Sequence, residues 1–142
     1  MVQKVLVAAC SEEDRQLVEQ AMREGLYVKV LDCFEELHNK VKTWYPQSTI
    51  QVPAHKTSVR TAVEAEGFDV AIVRETAHDF IRSALLVQAL RESGVGQVIL
   101  FCRDAARTQL YRRCGAHRVL VISPGEDVWN RLTPFLSTHI TA

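Results

Sequence analysis

Gly67-Phe68-Asp69-Val70-Ala71-Ile72-Val73 is a turn glycine followed by a short, almost unbroken apolar run, too brief for a buried helix and rich in β-branched residues. Such a run suits a strand covered on both faces, because a strand with one wet face alternates apolar and polar positions. Working outward, Lys4-Val5-Leu6-Val7-Ala8-Ala9 and Gln97–Cys102 have the same character. Tyr27–Leu31 alternates as a half-buried strand does, and Arg118–Ile122 supplies a fifth.

Helical patterns separate these runs. Ser11-Glu12-Glu13-Asp14 looks like a capped, acidic helix start, followed by Leu17, Val18, Ala21 and Met22 on one stripe that ends near Gly25. Phe34, Leu37 and Val41 give a second helix. From residue 44 to about 66 the rhythm breaks: Tyr45-Pro46 and Val52-Pro53 punctuate a polar stretch, and a short helix with Val59, Ala62 and Val63 ends at Gly67. This segment reads as an irregular insertion. Asp79–Ser93 predicts a helix with Ile81, Ala84, Leu85 and Leu90 facing inward, Asp104–Cys114 a more polar one stopped by Gly115, and Glu126–Leu136 a closing one. Strands alternating with helices predict an α/β fold, a doubly wound five-stranded parallel sheet with helices on both faces.

At 142 residues and 47% hydrophobic composition, the chain is the size of one domain with one core, spanning 1–142. Seventeen basic residues balance seventeen acidic ones, so no global field favours nucleic acid or an anionic membrane. No apolar stretch approaches the roughly 20 residues that cross a bilayer, and a cytoplasmic location is expected. Cys10, Cys33, Cys102 and Cys114 form no C-x-x-C pair, which argues against a disulfide framework or a zinc knuckle. The five histidines show no i, i+4 metal pairing, and neither G-x-G-x-x-G nor a P-loop occurs. Neither a cofactor nor a metal is expected.

The order of phrases resembles a bacterial response-regulator receiver. Lys4-Val5-Leu6-Val7 is followed by Gly25-Leu26-Tyr27-Val28, Cys33-Phe34-Glu35-Glu36-Leu37, Gly67–Val73, Leu90-Arg91-Glu92-Ser93-Gly94 and Cys114-Gly115-Ala116-His117, with Ser123-Pro124 closing the series. The likeness covers most of the chain outside residues 44–66. It implies a flavodoxin-like sheet of order 2-1-3-4-5 and a site at the carboxyl ends of the strands. That site is altered here. Where receivers keep two magnesium-binding acids stand Ala9 and Cys10, and hard cations want oxygen ligands. The phosphoacceptor position falls on Arg74, whose guanidinium is not nucleophilic; Glu75 reaches it only through a strand bulge, as a fixed negative charge. Cys102 replaces a hydroxyl residue, and Ser123 replaces the lysine before Pro124, which either keeps a cis bond or starts the last helix.

The resemblance therefore implies a pseudo-receiver: a non-enzymatic signalling module that binds a protein partner or a second copy of itself, with nucleic acid disfavoured by the scarcity of interleaved aromatics. Arg107, Tyr111, Arg112, Arg113 and Arg118 form a candidate interaction surface, against the plainer alternative of a solvated helix face. A second hypothesis is thiol or redox chemistry at Cys10 and Cys102, with Arg74 lowering a thiol pKa; its plainer alternative is that both cysteines are small buried hydrophobes. Trp44 and Tyr45 are either an exposed aromatic pair or anchors of the irregular segment.

Overall fold

The computed structural model describes residues 2–8, 12–53, 55–75 and 80–136, with backbone alone at 35–37. In chain order the elements are β1 Lys4–Ala8, a 3₁₀ turn at Glu12–Asp14 leading into α1 Arg15–Arg23, β2 Tyr27–Asp32, α2 Glu35–Trp44, β3 Thr49–Gln51 and α3 Lys56–Glu66. They continue as β4 Val70–Arg74, α4 Phe80–Glu92, β5 Gln97–Cys102, a 3₁₀ turn at Ala105–Arg107, α5 Thr108–Cys114, β6 Arg118–Val121 and α6 Trp129–Leu132. The strands form one sheet in the order β3-β2-β1-β4-β5-β6, with every neighbouring pair parallel.

The expected five strands are thus six. The sixth lies inside the segment read as an insertion: Thr49, Ile50 and Gln51 pair with Val30, Leu31 and Asp32. Three residues between Pro46 and Pro53 carry no periodic signal, and at a sheet edge the prolines outside the pairing cost nothing. Adding β3 and α3 also changes the order from the expected 2-1-3-4-5. After β3 the chain crosses back over β2 and β1 to lay down β4, so the winding direction reverses between β1 and β4. This is the Rossmann order, and the crevice at the carboxyl ends of β1 and β4 is its switch point.

Side-chain alternation divides the core between two faces. Leu6, Ala8, Ala71, Val73, Leu100 and Cys102 pack beneath α3, α4 and α5. Val5, Val7, Ile72, Ile99 and Phe101 face the other way, toward Leu17 and Val18 of α1, Val41 of α2 with Tyr45 just after it, and Leu132 of α6. Tyr45 is buried and meets Trp44 edge to face at 6.4 Å, while the Arg15 guanidinium covers Trp44 at 4.6 Å. The pair therefore anchors the end of α2.

Two helices depart from expectation. In α4 the buried residues are Ser83, Leu86, Val87, Ala89 and Leu90, whereas Ile81 is 61% exposed and Leu85 52%. Phe80-Ile81-Arg82-Ser83-Ala84-Leu85-Leu86-Val87 is apolar around most of its circumference, so periodicity alone gives no phase. The helix expected over 126–136 is reduced to α6 and a 3₁₀ turn at Thr133–Phe135, since Pro134 has no amide to continue the ladder. The Ser123–Pro124 bond is trans.

Candidate functional site

At the switch point β4 ends in Arg74, and Glu75 follows it directly. Pleating sends consecutive side chains to opposite faces of a sheet, so the cation leans toward α1 and the anion toward α5.

Arg74 donates from Nε to Oδ1 of Asp14 at 2.8 Å, and Nη1 lies 3.5 Å from Oε2 of Glu13. Its guanidinium sits 5.3 Å from the centre of the Phe101 ring. Asp14 is almost wholly buried. The acids read as helix-start chemistry thus serve another purpose as well: Asp14 stands at the N-cap position of α1 but caps nothing with its side chain, and instead accepts from Arg74. A guanidinium spends its charge on the carboxylates that a cation would need. Glu13 also accepts from Arg103 at 3.4 Å, tying β5's following loop to the same cluster.

Glu75, only 4% exposed, is held more completely. Arg107 donates to both of its oxygens, Nε to Oε2 at 2.6 Å and Nη2 to Oε1 at 2.9 Å. The Tyr111 hydroxyl donates to Oε2, and the Arg103 backbone amide to Oε1 at 3.3 Å. The Glu75 amide itself donates to Phe101 O at 2.8 Å, extending the β4–β5 ladder by one residue. Burial pushes the carboxyl pKa up, but hydrogen bonds from Arg107, Tyr111 and the Arg103 amide together outweigh it and leave the pKa below its ordinary value. The bond to Glu75 raises the Arg107 pKa in turn, and burial followed by the same bond raises that of Tyr111. Glu75 is therefore a buried carboxylate whose charged form is favoured by the bonds it accepts from Arg107, Tyr111 and the Arg103 amide.

Around these clusters Arg74, Glu75, Cys102, Ser123 and Pro124 do come together, with Glu13, Phe101, Arg103 and Ile122. The space between them is about 10 Å³, roughly what one water molecule needs. Ala9 and Cys10 lie outside the described residues. Cys102 is fully buried, its thiol directed to Asp104 O at 2.9 Å, and burial raises its pKa. Arg74 is committed to carboxylates. Neither feature activates the thiol, since reactive cysteines have lowered pKa values and access to solvent.

The expected interaction surface divides. Tyr111 is 0% exposed and Arg107 is bound to Glu75, so both belong to the internal cluster. Arg112, Arg113 and Arg118 are exposed, and Arg118 donates to Gln97 at 2.9 Å and covers Phe135 at 4.3 Å. Two features had no sequence signal. Asp32, at the end of β2, is buried and 2.5 Å from Nδ1 of His38, beside an open groove of about 610 Å³ floored by Cys33, Phe34 and Val52. Next to it the Arg82 guanidinium stacks on Phe34 at 3.7 Å. Among the described residues no group of three or more histidine, cysteine or acidic side chains is arranged to hold a metal, and no helix is long and apolar enough to cross a membrane.

No family model and no curated protein matches the chain. Solved structures do. The TrkA-N domain of the inner membrane protein YbaL from Escherichia coli superimposes with a TM-score of 0.65 at 13% identity, over 85% of this chain and 88% of that one. The Vibrio cholerae chemotaxis protein CheY4 gives 0.60 at 16% identity, over 95% and 97%. The GsuK channel bound to NAD gives 0.60 at 14%, over 84% of this chain and 21% of the channel. At such identities the likeness is one of fold, and the chain shares its parallel α/β architecture with a receiver-like signalling protein and with these two others.

Proposed function

We propose that this chain is a non-enzymatic regulatory module, built on a ligand-binding α/β scaffold whose switch point is closed by its own ion pairs, and that it acts through its surfaces on protein partners. The observation that carries this reading is the division of Arg74 and Glu75: the one neutralises the acids beside β1, and the other is neutralised by Arg107 and Tyr111. Phosphotransfer requires a free acceptor carboxylate and acids available to a metal. A dinucleotide requires glycines and free amides after β1, where Glu12-Glu13-Asp14 stands instead. Closure of both routes favours binding by surface. The fold likeness to a chemotaxis protein agrees with a signalling role, and the lost site chemistry agrees with the pseudo-receiver form of it.

One observation favours a second reading. In Rossmann order an acid at the end of the second strand binds the ribose diol of a nucleotide, and Asp32 occupies that place beside an open groove. A nucleoside there would displace His38 and leave the closed switch point untouched.

Calorimetric titration with NAD and with adenosine separates the two. The first reading predicts no saturable heat with either compound. Saturable binding abolished by Asp32→Asn establishes the second. Saturable NAD binding that Asp32→Asn leaves intact means that the pyrophosphate enters the switch point, and it would overturn both.

A further inference from the structure

A second hollow lies between α3 and α4. Val59 of α3 and Leu86 and Ala89 of α4 line it, with Cys33 and Phe34, which follow β2. Its volume is about 130 Å³. A cavity of about 150 Å³ walled by aliphatic and aromatic side chains holds benzene, so this one suits an apolar body of about six carbon atoms. Leu85 lines the hollow as well and is 52% exposed, which places its side chain at the mouth. The charged groups are few and of one sign: among the described lining residues the basic side chains are His55, Lys56 and Arg82, and none is acidic. The Arg82 guanidinium stacks on Phe34 at 3.7 Å. Stacking engages the face of a guanidinium, whereas its N–H donors lie in its plane. Lys56 pairs with Glu92 at 2.9 Å, but both side chains are more than one-third exposed and Glu92 also meets Arg60 at 3.4 Å. An exposed pair of this kind contributes little and an ammonium has several donors, so Lys56 can meet a second anion without stranding Glu92.

We propose that this hollow binds a small aromatic or branched aliphatic carboxylate, its hydrocarbon body against Val59, Leu86 and Ala89 and its carboxylate at the rim beside Lys56 and Arg82. Apolar walls with a small number of convergent polar groups are the ordinary composition of a small-molecule site. The sign of the rim selects the ligand: an amine meets like charge, and a neutral hydrocarbon forgoes the basic groups altogether. Lys56 also opens α3, where the helix dipole is positive, so the backbone adds to the same sign. The site is separate from the groove beside Asp32, since neither Asp32 nor His38 lines it, although the two share Cys33 and Phe34. The inference goes beyond the reading of the chain as an interaction module and gives that module a chemical input. It depends on none of the ion pairs at the switch point.

Proton–nitrogen correlation spectra of the intact chain, recorded during titration, test the proposal, with benzoate as probe and benzylamine as its cationic counterpart. Benzoate shifts the Val59, Leu86 and Ala89 amides saturably, with a Kd of about 1 mM, the range for a ligand of about nine non-hydrogen atoms. Benzylamine produces no saturable shift. Leu85→Glu sets a carboxylate at the exposed mouth and abolishes benzoate saturation with an unchanged melting curve. Lys56→Gln combined with Arg82→Gln weakens benzoate at least about tenfold, the loss of one charge-assisted hydrogen bond or more. Asp32→Asn leaves the benzoate Kd unchanged. Four results overturn the proposal: no saturation with benzoate, benzylamine binding as tightly as benzoate, saturation that survives either the Leu85→Glu or the Lys56→Gln/Arg82→Gln change, or loss of binding in Asp32→Asn, which would place benzoate in the groove. Each leaves the closed switch point standing.

Discussion

At the residue scale the site depends on Glu75. A buried carboxylate is tolerated only when charge and hydrogen bonds replace its lost hydration, and here Arg107, Tyr111 and the Arg103 amide do so. Tyr111→Phe deletes one bond to an ionised acceptor and is expected to cost about 1.5 kcal/mol in urea denaturation. Arg107→Met strands the carboxylate and should lower Tm further than Glu75→Gln does, because removing the cation leaves a buried charge behind whereas removing the anion lets Arg107 turn to solvent. The pH dependence follows from the direction of the Glu75 shift. Its folded pKa is depressed, so its contribution to stability is complete above the unfolded value and is lost as pH falls through the folded one. The Tm gap between native protein and Glu75→Gln should be constant at neutral pH and shrink in acid; a gap that widens on acidification contradicts the assignment. His117, whose pKa is lowered by burial and then by Arg91 and Arg118, destabilises in the same direction, so the difference between the two proteins isolates Glu75. Cys102, buried and bonded to Asp104 O, should alkylate at a measurable rate only after unfolding. Much of this was legible in the sequence: Arg74 and Glu75 stand at the end of an unmistakable strand, and Cys102 ends another. Their partners were not. Asp14 meets Arg74 across 60 residues, and no local pattern announces a contact between a helix start and a strand end.

At the element scale, two features resisted reading for different physical reasons. Thr49 and Ile50 of β3 are β-branched and suit a strand, but a run of three residues is too short to show a period, and its pairing with β2 is what defines it. α4 is apolar on nearly every side, so which face is buried is set by α3, α5 and the sheet, not by its own sequence. The β4 and β5 runs, by contrast, needed no context, because an unbroken apolar strand fits only a sheet covered on both faces. Their registration has a visible steric check. A Cβ on Gly96 would stand 2.8 Å from the Asp69 carbonyl oxygen, a backbone atom that has little freedom to retreat while Gln97 donates to it at 2.9 Å. Gly96→Ala should therefore cost about 1–3 kcal/mol, the range for overpacking. A neutral result in thermal denaturation would mean that the start of β5 is looser than this packing requires.

For the whole molecule, six parallel strands in Rossmann order place a crevice where such folds bind their ligands, and among the described residues Arg74 and Glu75 meet their ion-pair partners there around a space of about 10 Å³. Away from it the described residues leave a groove of about 610 Å³ beside Asp32 and expose Ile81 and Leu85 along α4. The most direct test is intact-protein mass spectrometry after incubation with acetyl phosphate and magnesium, with an ordinary receiver alongside as positive control. The closed switch point predicts an unchanged mass while the control gains a phosphoryl group. A stable phosphoryl adduct would contradict it, because some carboxylate at the switch point would then be free to accept.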